Sequence, residues 1–216
     1  MISQNFKKRF YTSVVLLIIF FLIFEFSYVL VLSLLILGVL SIIEFAGIIK
    51  ELFKNKYYIF FTNFFWIIFI FSYCFLFFFF SNFLQLKIIL FSLLLGCIAS
   101  DIGGFIVGKI FKGPKLTKVS PNKTVSGAIG SILFSCIAIS ISIFYFTNNL
   151  SYKIIIVGLV TSIACQIGDL FFSFLKRKVK VKDTSNFLPG HGGILDRLDG
   201  IFLGIPFGYI TLILFY

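Results

Sequence analysis

Residues 57–80 read YYIFFTNFFWIIFIFSYCFLFFFF, 24 positions without a charge. About 20 apolar residues in helical form cross the roughly 30 Å hydrocarbon core of a bilayer. Lipid offers no partner to backbone N–H and C=O groups, and at this length only an α-helix satisfies its own. Working outward, apolar runs of the same kind recur near 11–24, 28–49, 86–108, 125–147, 153–175 and 199–216. The chain is 60% hydrophobic and 12% charged, with mean hydropathy +1.11, where a soluble domain carries about 25% charged residues. These figures exclude a soluble globular module. They predict an all-α, polytopic integral membrane bundle of about seven transmembrane helices, a single domain over 1–216. Phe occurs 33 times, but Phe, Ile and Leu are near-equivalent toward lipid, so this bias says little about function.

Loop charges orient the bundle. With the N-terminus in the cytoplasm, the cytoplasmic segments carry Lys7, Lys8 and Arg9, then Lys50, Lys54 and Lys56. They next carry Lys109, Lys112, Lys115, Lys118 and Lys123, then Lys176, Arg177, Lys178, Lys180, Lys182 and Arg197. Of the 19 basic residues only Lys87 and Lys153 fall outside, as the positive-inside rule requires. The net charge of +11 therefore tracks topology and attraction to anionic lipid. No basic stripe interleaved with soluble aromatics is present, so nucleic acid is not an expected partner. The basic N-terminus and its apolar run resemble a signal peptide, but the chain continues as FEFSYVLVL without a small-residue cleavage site, which predicts an uncleaved anchor. Cys74, Cys97, Cys136 and Cys165 all fall within spans, without Cys-x-x-Cys spacing or a nearby His. They read as packing residues, with neither a disulfide framework nor a zinc site.

Eight acids can each be weighed. Glu25 and Glu51 sit at span ends and read as solvated. Glu44, Asp101 and Asp169 lie inside spans, where a charge costs about 2.5–3.5 kcal/mol on insertion scales, so each needs a cavity, a partner or an ion. Helical spacing puts Ser162, Gln166, Asp169, Ser173 and Lys176 on one face. That stripe reads as a wet or protein-lined groove, against the plainer reading of a polar packing seam. Gly96, Ser100, Gly104 and Gly108 form a four-step ladder of small residues beside Asp101, and Gly127, Ser131, Ser135 and Gly200, Gly204, Gly208 repeat the spacing. Such ladders let helices approach closely.

Charge is densest in residues 173–199, SFLKRKVKVKDTSNFLPGHGGILDRLD. Asp196 and Asp199 are three apart and share a face; acids near a helix start also complement its dipole. Gly190, Gly192 and Gly193 permit close backbone approaches. Carboxylates beside a cationic, glycine-rich turn suit Mg²⁺ carrying substrate phosphates. His191 is the only histidine, which excludes a multi-histidine site; it could bind phosphate, take part in proton transfer or cap the turn. The loop 109–126, KIFKGPKLTKVSPNKTVS, is a second cationic element and not a P-loop. It could present Lys123 and backbone amides to a phosphate, or be an ordinary cytoplasmic loop.

The run Ser173-x-Leu175-Lys176-Arg177, Lys182-Asp183, Pro189-Gly190-His191-Gly192-Gly193 and Asp196-Arg197-x-Asp199 resembles the signature of phosphatidate cytidylyltransferases, the CDP-diacylglycerol synthases. Asp101 with Gly103, Gly104 and Gly108, the segment Ser120-Pro121-x-Lys123-Thr124 with Gly127, and Gly168-Asp169 with Ser173 are similar to further elements of that family. Ser126 stands where the family usually has Glu. The resemblance covers 96 to 200, within a catalytic half at 86–216; the N-terminal spans at 1–85 match loosely.

The resemblance implies a reaction: CTP and phosphatidic acid give CDP-diacylglycerol and pyrophosphate at a membrane, in phospholipid biosynthesis. It places Mg²⁺ on Asp169 and Asp196, with a second cation beside them, K⁺ among the candidates. It makes Asp199 and Asp101 supporting acids. Lys176, Arg177, Lys182 and Lys123 would bind phosphates, and Ser173, Asp183, His191, Gly192, Gly193 and Arg197 would complete the substrate site. It further implies a multi-pass protein of the cell membrane with its site facing the cytoplasm; a homodimer follows from the resemblance and from the glycine faces. The rival class is a transporter or channel for an anionic substrate. It explains the polar stripe and the ladders equally well, but not the charge gathered at one mouth, and no inverted repeat is visible.

Overall fold

Seven helices account for most of the described chain. The computed structural model describes residues 14, 15, 18, 21–117, 119–148, 150–185, 187 and 192–215. The helices are α1 (Ser27–Leu52), α2 (Lys56–Ser81), α3 (Leu84–Phe111), α4 (Val125–Thr147), α5 (Tyr152–Lys178), α6 (Leu195–Leu198) and α7 (Ile201–Phe215). Among the described residues six stretches are long and apolar enough to cross a membrane, the last being Leu195–Phe215. The expected first span, 11–24, falls largely outside the described residues; residues 14, 15, 18 and 21–25 are helical. The all-α membrane architecture is thus as the sequence predicts.

Local chemistry sets the helix ends. Asn55 Oδ1 accepts from Tyr57 N at 2.9 Å and starts α2. Thr124 Oγ1 accepts from Gly127 N at 3.1 Å and starts α4; both are side-chain N-caps. Asn148 closes α4 in the left-handed region, φ 51°. Hydroxyls inside the spans give their protons to carbonyls three or four residues back, as in Ser41 to Gly38, Thr161 to Val157 and Thr211 to Phe207. A hydroxyl bonded this way leaves no unpaired donor in the apolar span, at the cost of a slight helix bend. The last span, expected to begin at 199, is broken: α6 ends at Leu198 and α7 begins at Ile201. Asp199 Oδ1 accepts from Gly200 N at 2.9 Å and holds the break as a turn.

The chain divides into two compact units, Met1–Phe83 with Leu175–Arg197, and Leu84–Phe174 with Leu198–Tyr216. In the first, α1 and α2 pair through Phe45 stacked on Trp66 at 4.4 Å between ring centroids. Cys74 Sγ bonds Leu34 O at 3.7 Å there.

The second unit is built on the small-residue ladders. A Cβ at Gly103 would lie 2.6 Å from Gly130 O, and one at Gly127 only 2.8 Å from Gly104 O, so α3 and α4 touch backbone to backbone. Gly204 and Gly208 of α7 make room for side chains of α3: a Cβ at these positions would lie 2.6 Å from Cys97 Sγ and 2.8 Å from Leu93 Cδ2. Ser92 bonds Ser142 at 2.8 Å, Ser100 bonds Ser162 at 2.9 Å, and Ser135 bonds Gly158 O at 3.2 Å. The four cysteines are free thiols, as expected.

Candidate active site

Among the described residues Glu44 and Asp196 in the first unit and Asp169 in the second have side-chain partners that define the site. In the first unit Lys176 Nζ, from the last turn of α5, donates to Asp196 Oδ1 at 2.7 Å. Both side chains are below 10% exposed. The other oxygen of Asp196, Oδ2, accepts from Thr184 N at 2.9 Å and Gly193 N at 3.0 Å. Thr184 Oγ1 also lies 3.2 Å from it. Gly192 sits at φ +85°, in the left-handed region, and a Cβ there would lie 3.1 Å from Asp196 Oδ2 and 3.5 Å from the Asp183 side chain. Gly192 and Gly193 allow the backbone to approach the carboxylate, and Gly193 gives it an N–H. Gly193 tolerates no Cβ: it would strike the Thr184 hydroxyl and lie 2.7 Å from Glu44 Oε2.

Glu44 is the residue that sequence reasoning flagged and left unassigned. It lies in α1 at 4% exposure. Its Oε1 accepts from Ser185 Oγ at 2.5 Å and Ile194 N at 3.0 Å, and its Oε2 from Thr184 Oγ1 at 2.7 Å and Leu195 N at 2.8 Å. An acid inside an apolar span was the signal; its partners, more than 130 residues away along the chain, carried none.

In the second unit Lys123 forms an ion pair with Asp169, each side chain 28% exposed. Ser173 Oγ donates to Asp169 Oδ1 at 3.2 Å. Lys123 reaches Asp169 from a folded loop: Leu116 N bonds Lys123 O at 2.8 Å, Lys123 N bonds Ser120 O at 3.1 Å, and Val125 N bonds Pro114 O at 3.0 Å. Ser126 Oγ donates to Lys112 O, joining the two ends of this loop. An open depression of about 470 Å³ is lined by Lys115, Leu116, Thr117 and Pro121 of the loop, within the size range of small-molecule sites. Gly168 lets the 199–200 turn approach α5; a Cβ there would lie 2.5 Å from Asp199 O. Asp199 is buried, and Asp101 is exposed on α3.

The predicted polar stripe on α5 has two parts. Ser162 is fully buried and bonded to Ser100, and Gln166 Nε2 donates to Ala128 O at 3.3 Å, so this half is a packing seam. Asp169 and Ser173 are the half-exposed part. Arg177, Lys182, Asp183 and Arg197 are exposed, and Arg177 Nη1 donates to Val181 O at 3.1 Å. Pro189, Gly190 and His191 lie outside the described residues.

The donor sets can be tested against Mg²⁺. Oδ2 of Asp196 is taken by two backbone N–H groups, while Oδ1 faces Lys176 and keeps a lone pair. Asp169 has one oxygen toward Lys123 and the other toward Ser173. Each can therefore give a cation one oxygen. Among the described residues no group of three or more His, Cys, Asp or Glu is assembled. This fits Mg²⁺, which takes one or two carboxylates and fills its shell with water and phosphate oxygens. An all-protein cage of zinc type is not what these residues form.

Relatives bear directly on this site. A phosphatidate cytidylyltransferase of Bacillus subtilis is 43% identical over 121 residues, 54% of this chain and 44% of that protein. That of Rickettsia typhi is 40% identical over 116 residues, 49% of this chain and 50% of that protein. That of Mycobacterium leprae is 37% identical over 112 residues, 51% of this chain and 36% of that protein. The chain thus spans half or less of the length of these relatives. The cytidylyltransferase family profile matches residues 1–215, well beyond the 96–200 stretch in which the motifs lie. With that match running through both units, the chain belongs to the cytidylyltransferase family.

Proposed function

We propose that this chain is a phosphatidate cytidylyltransferase, making CDP-diacylglycerol and pyrophosphate from CTP and phosphatidic acid. The observation that carries the reading is the pair of lysine-held carboxylates, Lys123–Asp169 and Lys176–Asp196, in a chain of membrane-spanning helices. A phosphate oxygen of the lipid attacks the α-phosphorus of CTP. The new P–O bond forms as the bond to the bridging oxygen of the β-phosphate breaks, and pyrophosphate leaves. The attacking phosphate is already ionised near neutral pH, so no general base is needed. Negative charge gathers on the transferring phosphorus centre and the leaving group, and neutralising it is the main task of such a site.

Each lysine has two roles in this reading. Without substrate it neutralises a carboxylate; with substrate its ammonium turns to phosphate oxygens, a charge-assisted bond at least as strong. Asp169 and Asp196 would then each have an oxygen to give to Mg²⁺, which would supply positive charge against the phosphates. A second cation such as K⁺ belongs to the same proposal. Arg177 and Lys182, exposed beside the turn, receive the nucleotide phosphates, while the lipid enters between helices. Asp199, Asp101, Asp183, His191, Gly192, Gly193 and Arg197 shape the surroundings.

The same proposal places the protein in the cell membrane, N-terminus and site toward the cytoplasm. A homodimer rests on the resemblance alone, because the glycine ladders described above pack within the chain. The transporter reading is disfavoured by the family match.

Membranes containing the chain should convert labelled CTP and added phosphatidic acid to CDP-diacylglycerol; no product at saturating Mg²⁺ overturns the reading. In a cysteine-less background, single cysteines at Lys115 and Ser185 should be labelled from the cytoplasm and one at Asn148 from the other side. Labelling of Asn148 and Ser185 from one face refutes the topology.

A further inference from the structure

Among the described residues Glu44 accepts four hydrogen bonds, from Thr184, Ser185, Ile194 and Leu195, all close to Asp196 along the chain. Among the described residues neither ion pair includes it, so hydroxyl and backbone dipoles balance its charge. Thr184 gives its hydroxyl to Glu44 at 2.7 Å and its N–H to Asp196 Oδ2 at 2.9 Å. Three successive N–H groups divide between the two acids: Gly193 N goes to Asp196, Ile194 N and Leu195 N to Glu44. Asp196 Oδ2 is thereby fixed from the backbone, and Oδ1 is left toward Lys176.

We infer that Glu44 is a positioning residue: from α1 it clamps Thr184, Ser185, Ile194 and Leu195 so that Thr184 and Gly193 present their N–H groups to Asp196 and hold its Oδ1 in place for a cation or lysine. The inference rests on the proposed role of Asp196 at the reaction centre. Glu44 itself touches no reacting atom. Its carboxylate form is required. Each oxygen accepts one backbone N–H, so an amide in its place, turned either way, sets an NH₂ donor against a donor.

The decisive variant is Glu44→Gln, the same shape without the second acceptor. Hydrogen exchange in detergent should show faster exchange of the Thr184 and Gly193 amides, which bond Asp196 and not Glu44, with α2 unchanged. Turnover should fall about 10–100-fold and the Mg²⁺ concentration for half-maximal activity should rise about 10-fold, the usual scale for a residue that orients a ligand. The Michaelis constant for CTP should stay within about threefold. Thr184→Val removes one shared link, and its effect should be non-additive with that of Glu44→Gln.

Unchanged exchange at Thr184 and Gly193 overturns the clamp. Faster exchange with wild-type turnover and Mg²⁺ dependence overturns its bearing on Asp196. A variant that only lowers the yield of folded protein, with turnover per folded molecule intact, shows Glu44 to be structural and also overturns the inference. If the wild type makes no CDP-diacylglycerol, the functional reading fails while hydrogen exchange still decides the clamp.

Discussion

Asp196 and Asp169 are both paired with a lysine, yet they are held in opposite ways. Asp196 is a backbone-held acid: two N–H groups of a glycine turn fix one oxygen, and the pair with Lys176 is nearly dry. Asp169 is a side-chain-held acid on a helix, touched by Lys123 and Ser173, each side chain of the ion pair 28% exposed. A backbone donor cannot move without moving the turn, whereas a lysine on a loop can swing away at little cost. Within its own unit each acid thus has its own character: Asp196 is fixed by the backbone, and Asp169 with Lys123 is adjustable.

The largest effects should come from removing either acid's charge or the metal. Asp169→Asn and Asp196→Asn should each lower turnover by about 100–1,000-fold, the scale for loss of one charge-stabilising group. Chelator should abolish activity and added Mg²⁺ should restore it. Full activity in chelator would remove both acids from a metal role and leave the comparison purely structural.

Stability should separate the two sites next. Lys176→Ala leaves Asp196 buried without its cation and should destabilise the protein by about 3–5 kcal/mol, as for other broken buried pairs. Lys123→Ala breaks a pair that water reaches and should change stability by about 1 kcal/mol or less. Thermal unfolding in one detergent measures both; equal losses would contradict the distinction between a fixed and an adjustable acid.

The smallest effect should be on substrate binding at the rim. Lys182 is exposed, so Lys182→Ala should leave unfolding unchanged. It should raise the Michaelis constant for CTP about 10-fold, the worth of one charge-assisted hydrogen bond, with that for phosphatidic acid less affected. Steady-state kinetics with each substrate varied in turn would show this. A change in lipid use alone would mean that the two substrates were placed the wrong way round.

Much of this protein is legible along the chain. Helices in lipid satisfy their own backbone groups, so apolar length predicts the middle spans, and α4 begins and ends where its run does, at Val125 and Thr147, whereas the break at 199–200 was not legible. The ladders at Gly96–Gly108 and Gly127–Ser135 are periodic, and a 3.6-residue repeat is a local property that predicts a contact face before its partner is known. Asp169, Lys176 and Asp196 were found through motif spacing, which is again local. Only the tertiary structure decided which acid each lysine meets, that Ser162 and Gln166 belong to a packing seam while Asp169 does not, and that Glu44 is tied to Thr184, Ser185, Ile194 and Leu195. Those contacts join residues tens to more than a hundred positions apart. Helix packing brings them together, and neither periodicity nor composition encodes which distant donor an isolated carboxylate will find.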